Sequence, residues 1–167
     1  MIFKASLDKI SWVITYILLP ILVIFCITTL YLALKKNPGS LSIPVSLILS
    51  FVVFGSIFLI SYLFSPTQYE IKLDSLYITR PIGSIEIPLS SIKDIYPVAQ
   101  DDMKFNIRTF GNGGLFGYYG YFYNRKQGKM TWYATQKRNY VILLTNTDKK
   151  IVLTPDDLSL VEAVKNY

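Results

Sequence analysis

The chain carries no charged residue from Trp12 to Leu34, and none again from Ile43 to Phe64. A helix rises 1.5 Å per residue, so about 20 apolar residues cross a hydrocarbon core. Lipid offers backbone groups no partner. Both runs therefore predict membrane-spanning helices, residues 12–34 and 43–64. The polar break between them, KKNPGSLS, holds Pro38 and Gly39 and predicts the turn of a hairpin. Trp12, Tyr31 and Tyr62 fall near the ends of the runs, at the depth amphipathic rings prefer. Pro44 stands at the start of the second helix, where its missing N–H costs little; Pro20 is internal and predicts a kink. Ser46 and Ser50, four apart, predict close packing between the two spans. A cleaved secretory signal would have a shorter apolar core, about 7–15 residues, and a small-residue cleavage site. The first run is longer, ends in KKNPG and is followed by a second, so it reads as a retained anchor.

After Ser65-Pro66 the period changes to two. Tyr69, Ile71 and Leu73 alternate with Glu70 and Lys72. Further short runs follow at 76–79, 84–88, 92–98, 105–110, 118–123, 130–135, 140–145 and 150–153. Turn residues such as Asp74-Ser75 and Pro81 to Gly83 separate them. Many short strands at this spacing predict an antiparallel β sandwich or open barrel. The end differs. Thr154-Pro155-Asp156-Asp157 has the composition of a helix start, with Thr154 as the expected N-cap, and Leu158, Leu160, Val161 and Val164 recur at helical spacing. Capping accounts for the paired Asp156 and Asp157, and a solvated turn for Asp101-Asp102. The expected organisation is a transmembrane hairpin over 1–66 and an α+β domain over 67–167.

Composition narrows the chemistry. The chain is 51% hydrophobic and only 17% charged, against about 25% in an average soluble domain. Disorder needs the opposite balance. A single cysteine forms no intrachain disulfide, and there is no histidine, which removes imidazole catalysis and His-ligated metal sites. No cofactor is expected and no catalytic motif stands out; an enzyme built on Ser, Lys, Tyr or carboxylate chemistry is the remote alternative.

Charge is unevenly placed. The net +6 divides equally, +3 in residues 1–64 and +3 beyond. Lys4 and Lys9 before the first span, with Lys72 and Arg80 after the second, outweigh Lys35 and Lys36 between them, which predicts both termini on the cytoplasmic side. Between Asp102 and Asp148 there is no acid, but there are seven bases: Lys104, Arg108, Arg125, Lys126, Lys129, Lys137 and Arg138. Such a stretch either solvates a strand face or attracts an anionic surface.

Six of the nine glycines lie between Gly111 and Gly128, and Gly111, Gly114, Gly117 and Gly120 recur every third residue. Glycine in strand-like sequence marks positive φ, a bulge or a close backbone approach. Phe116 stands where a dinucleotide fingerprint requires glycine, and no Gly-Lys-Ser/Thr follows, so phosphate cradling is not expected. Two readings stay open. Leu115, Phe116, Tyr118 and Tyr119 either pack on the sheet or form a tip against the bilayer, where Arg108, Arg125 and Lys126 would meet anionic headgroups. Basic residues between tyrosines also suit single-stranded nucleic acid, but the anchor and the missing RNP signature exclude it as the expected partner.

Strands closed by one C-terminal helix is the order of pleckstrin-homology (PH) folds. The segment Ser84-Ile-Glu-Ile-Pro-Leu-Ser-Ser-Ile-Lys-Asp-Ile and the run from Arg108 to Phe122 with Gly128 and Tyr133-Ala-Thr135 resemble bacterial PH-like domains, the second a subfamily that follows paired membrane spans. The resemblance covers about 67–165. It implies a membrane-bound protein without established catalysis and carries over no site residue. The first hairpin, Lys72 to Arg80, is tight and contains Asp74, unlike the basic hairpin of phosphoinositide-binding relatives. The expected function is an interaction module in the bacterial cytoplasmic membrane, presenting its domain to a protein or peptide. Anionic lipid binding through 104–138 is the alternative. Candidate contacts are Arg108, Leu115, Phe116, Tyr118, Tyr119, Arg125, Lys126, Lys129, Lys137 and Arg138.

Overall fold

A computed structural model describes residues 1–36 and 42–167, with the backbone alone described at positions 18, 42–44 and 46. The turn expected at Pro38-Gly39 and the packing expected of the Ser46 side chain lie outside the described residues. The first apolar run is one helix, Lys9–Lys36. It divides into α1 (Lys9–Val13), a π-helical turn (Ile14–Leu18) and α2 (Leu19–Lys36). The irregularity sits just before Pro20. Proline has no N–H to donate and its ring crowds the carbonyl four residues back, and a wider turn accommodates both effects. The second run forms α3 (Ser42–Leu63), which lies against α2. Among the described residues, Lys9–Lys36 is the helix long and apolar enough to cross a membrane, and its apolar window is not buried at all; the described apolar stretch of α3 is shorter, Leu47–Leu63. Thr28 and Thr29 turn their hydroxyls back onto carbonyls of their own helix, Ile24, Phe25 and Cys26, which suits a surface without water.

The strands make two sheets. The four-stranded sheet has the order β1 (Ile2–Lys4), β2 (Gln68–Lys72), β3 (Ser75–Thr79) and β4 (Ser84–Pro88), all antiparallel. The six-stranded sheet runs β5 (Ile92–Val98), β9 (Tyr140–Thr145), β10 (Lys150–Leu153), β8 (Gly128–Ala134), β7 (Tyr118–Asn124), β6 (Ile107–Gly113). Its β10–β8 pair is parallel. A closing helix, α4 (Ser159–Lys165), completes the α+β fold.

Two apolar layers result from the alternation. Tyr69, Ile71, Leu76 and Ile78 meet Ile95, Val141, Leu143 and Leu153 between the sheets, and α4 adds Leu160, Val161 and Val164. On the other face of the larger sheet, Phe122 stacks on Trp132 at 4.5 Å among Met130, Tyr140 and Ile142, with Met103 of a short 3-10 turn packed over them.

Two features were not foreshadowed. The first is β1. Phe3 pairs with Tyr69, and Met1 and Ile71 exchange hydrogen bonds of 2.8 Å in both directions. The chain thus begins inside the domain, leaves through the helix pair and returns to the same sheet as β2. The second concerns Thr154, which does not cap the final helix. The helix starts at Ser159, where Asp157 accepts from the Ser159 N–H at 2.9 Å; that hydrogen bond lowers the Asp157 pKa. Thr154 is fully buried, and its hydroxyl oxygen accepts from Thr135 N–H at 2.9 Å. The Thr-Pro-Asp-Asp sequence has the residue types of a cap, but burial committed the threonine to a strand neighbour.

Candidate functional site

The junction between helices and domain is built from Asp8 upward. Its N–H donates to Thr135 O at 3.1 Å. One carboxylate oxygen caps α1 by accepting from Ser11 N–H at 2.7 Å, and the other accepts from the Tyr118 hydroxyl at 3.1 Å. Burial pushes the Tyr118 phenol up to about 12. The Lys137 ammonium stands 4.9 Å over the Tyr118 ring, a cation–π arrangement.

The glycine-aromatic loop between β6 and β7 docks on both helices. Gly111 and Gly120 face each other across the strand pair. A Cβ on either would fall 2.3 or 2.4 Å from a carbonyl of the opposite strand, and both have φ near +110° to +120°. Asn112 ties the turn by hydrogen bonds with the Leu115 backbone and the Tyr119 hydroxyl. Phe116, held at φ +56°, donates its N–H to Thr15 Oγ1 at 3.0 Å, and its ring meets Tyr62 and Phe58 of α3 edge-on at 5.4 and 6.4 Å. The Tyr119 hydroxyl donates to Ser61 O at 2.7 Å. Because one loop touches Thr15 near the start of the first helix and Tyr62 near the end of α3, the two helices run antiparallel with these ends together. The loop is neither laid on its own sheet nor a free tip. It is a wedge between helix ends, and its partners lie too far along the chain for local spacing to reveal them.

Beside the wedge is a cleft of about 670 Å³ between α3 and the sheet. Ile57, Ile60 and Phe64 form one wall, and Phe110, Tyr121 and Tyr133 the other. Among the described residues two arginines line it, Arg80 and Arg108, and no acidic side chain does. The Arg80 guanidinium lies 5.4 Å from the Phe64 ring centroid, and its Nε is buried without a hydrogen-bond partner among the described residues. A Cβ on Gly113 would stand 3.0 Å from Arg108 Nη1, so this glycine leaves room for the arginine.

Tyr121, Thr131 and Tyr133 continue from the cleft into a second groove of about 820 Å³. Ile85 of β4 and Thr109 of β6 both line it. β4 and β6 are the edge strands of their sheets, so two open edges flank one groove that also holds Tyr123, Lys129 and Lys150.

The basic stretch does not form one surface. β7 carries the chain about 20 Å from the wedge, at about 3.3 Å per residue. Arg125, Lys126 and Lys129 therefore sit at the far hairpin, where Lys126 pairs with Asp102 at 2.6 Å and Lys104 with Asp101 at 2.7 Å. These pairs raise the Lys126 pKa and lower that of Asp101. Lys137 and Arg138 are exposed beside Thr135, at the helix start, and Arg138 donates to Gln136 Oε1 at 2.5 Å. Arg108 lines the cleft, Tyr118 is core, and Leu115, Phe116 and Tyr119 belong to the wedge. In the sequence Arg80 reads only as a flanking charge; its place in the cleft depends on the turn after β3, where its N–H donates to Gly83 O at 3.2 Å.

A family model described as Bacterial PH domain matches residues 67–166. The match covers most of the chain and bears out the resemblance in the strand and glycine motifs: the protein belongs to this family. No curated protein and no solved structure matches the chain.

Proposed function

We propose that this member of the bacterial PH domain family is a membrane-anchored binding module that holds its domain against the cytoplasmic face of the bacterial membrane and presents a tyrosine-lined groove to a protein partner. It works by binding and not by catalysis. Residues 12–34 and 43–64 span the bilayer as a hairpin, and 67–167 with β1 form the presented domain. Both termini are cytoplasmic, which the bases at the domain end of the helices support: Lys9, Arg80, Lys137 and Arg138 against Lys35 and Lys36.

The observation that carries the reading is the three-point attachment. β1 precedes the helix pair and β2 follows it in the same sheet, while Phe116 wedges between the helix ends. A domain held at three points cannot wander on a linker, so its groove keeps a set height above the bilayer. The groove favours an extended peptide, because β4 and β6 leave backbone donors and acceptors along its two sides.

The test places a photo-crosslinking residue at Tyr121 in the groove, or at Ser159 on α4, in the full chain in native membranes. A discrete crosslinked protein from position 121 and not from 159 supports the reading. Indistinguishable products from both positions, or none from 121, overturn it. Extraction of the chain from membranes by alkaline carbonate would overturn the anchor separately.

A further inference from the structure

We propose that the cleft between α3 and the six-stranded sheet binds one anionic phospholipid of the adjoining leaflet, with its headgroup phosphate between Arg80 and Arg108 and its acyl chain along Ile57, Ile60 and Phe64. The proposal rests on the membrane-anchored reading, since the lipid enters sideways from the bilayer around α3.

Two chemistries converge on this cleft. The first is uncompensated positive charge. Burying an ionic group without a partner is costly, and Arg80 keeps a buried Nε with no acceptor among the described residues. Neither arginine has an ion pair there, and no carboxylate lines the walls. The planar fork of a guanidinium matches phosphate oxygens in paired hydrogen bonds. The acids that neutralise Lys104 and Lys126 lie at the other end of the domain.

The second is apolar continuity. Ile57 and Ile60 are about half exposed and lie on the same helix that forms the cleft wall. Phe110, 73% exposed, faces them from β6. A water-soluble anion would use the arginines and leave this wall wet. A diacyl lipid uses both, and it reaches the cleft without leaving the membrane. The site differs from the β2–β3 hairpin, where Lys72 is paired with Glu70 at 2.9 Å.

The test uses the full chain in neutral detergent, titrated with short-chain phosphatidylglycerol, phosphatidylcholine or free glycerol phosphate, and read by lipid adducts in native mass spectrometry and by melting temperature. Phosphatidylglycerol should remain bound and raise the melting temperature, whereas phosphatidylcholine should do so weakly. R108Q, at an exposed position, should weaken phosphatidylglycerol binding by at least about fivefold, the value of one cationic contact with a headgroup. R80Q should weaken it further, and Arg125→Gln at the far hairpin should leave it unchanged. Equal response to the two lipids, or equal loss with Arg125→Gln, would overturn the site in favour of diffuse attraction. A full response to glycerol phosphate would overturn the lipid as its occupant. Carbonate extraction is read separately, so a failed anchor and an empty cleft give different results.

Discussion

Phe116 donates its backbone N–H to Thr15 Oγ1 across 3.0 Å, joining residues 101 positions apart. Thr15 is almost wholly buried, in the π turn that precedes Pro20. Thr28 and Thr29, by contrast, bond back to their own helix. The Thr15 oxygen is thus one of the points that fix the domain to the helix, beside Asp8 at the helix start.

Thr15→Val keeps the shape and removes the acceptor. It should destabilise the full chain by about 1–3 kcal/mol, the cost of stranding a buried donor, while Thr15→Ser should retain most of the stability. Melting in detergent measures both; an unchanged Thr15→Val would show that the wedge is not docked through this bond.

Gly111→Ala and Gly120→Ala should be more damaging than Gly128→Ala. All three positions have positive φ, at about 1–2 kcal/mol for a side chain, but a Cβ at Gly128 meets nothing within 4 Å, whereas at the other two it strikes opposite-strand backbone. Denaturant midpoints should rank accordingly, and equal costs would argue against the close strand approach.

A fragment of residues 65–167 lacks β1 and leaves the β2 edge open. A synthetic peptide of residues 1–8 should bind it saturably by strand addition and raise its melting temperature. A peptide with Phe3→Asp should not, because Phe3 packs against the core beside its strand partner Tyr69. Indifference to the native peptide would contradict the pairing.

Stability should fall in alkali. The fully buried Tyr69 hydroxyl donates to Tyr133 O at 2.6 Å and accepts from Thr154 N–H at 3.1 Å, and burial raises its pKa from 10.0 to about 12. A pKa raised by folding favours the protonated form. Its contribution is therefore complete below pH 10 and is lost as pH rises through 12. Tyr69→Phe should lower stability at pH 8 and flatten the decline above pH 10, as followed by tyrosinate absorbance and circular dichroism. A slope equal to that of the wild type would assign the loss to Tyr118 and Tyr140.

Thr154→Val should cost about 1–3 kcal/mol by stranding the Thr135 N–H. Asp157→Ala should instead weaken only the start of α4. A Thr154→Val variant as stable as the wild type in urea unfolding would show that its hydroxyl does not hold the Thr135 N–H.

Local pattern determined much of this protein. Charge-free runs wrote the two helices, period-two alternation from Tyr69 onward wrote the strands, and the glycines every third residue marked a segment where side chains do not fit. The family followed from those same motifs. Each of these signals lies within a few residues of its cause: solvent on one side, core on the other, or a neighbouring carbonyl. What only the tertiary structure decided has the opposite character. Ile2–Lys4 is too short to announce itself as a strand and exists because the β2 edge offers it partners. Phe116 becomes a wedge because a sheet brings it to Thr15 and Tyr62. Arg80 and Arg108, 28 positions apart, come to line one cleft because the turn after β3 and the strand β6 both face α3. Seven bases without an acid look like one surface in sequence, but a 20 Å strand separates them and the acids at 101 and 102 fold back onto two. Backbone hydrogen bonding and apolar burial act along the chain as well as across it, so they leave periodic traces. Contacts between distant side chains leave none.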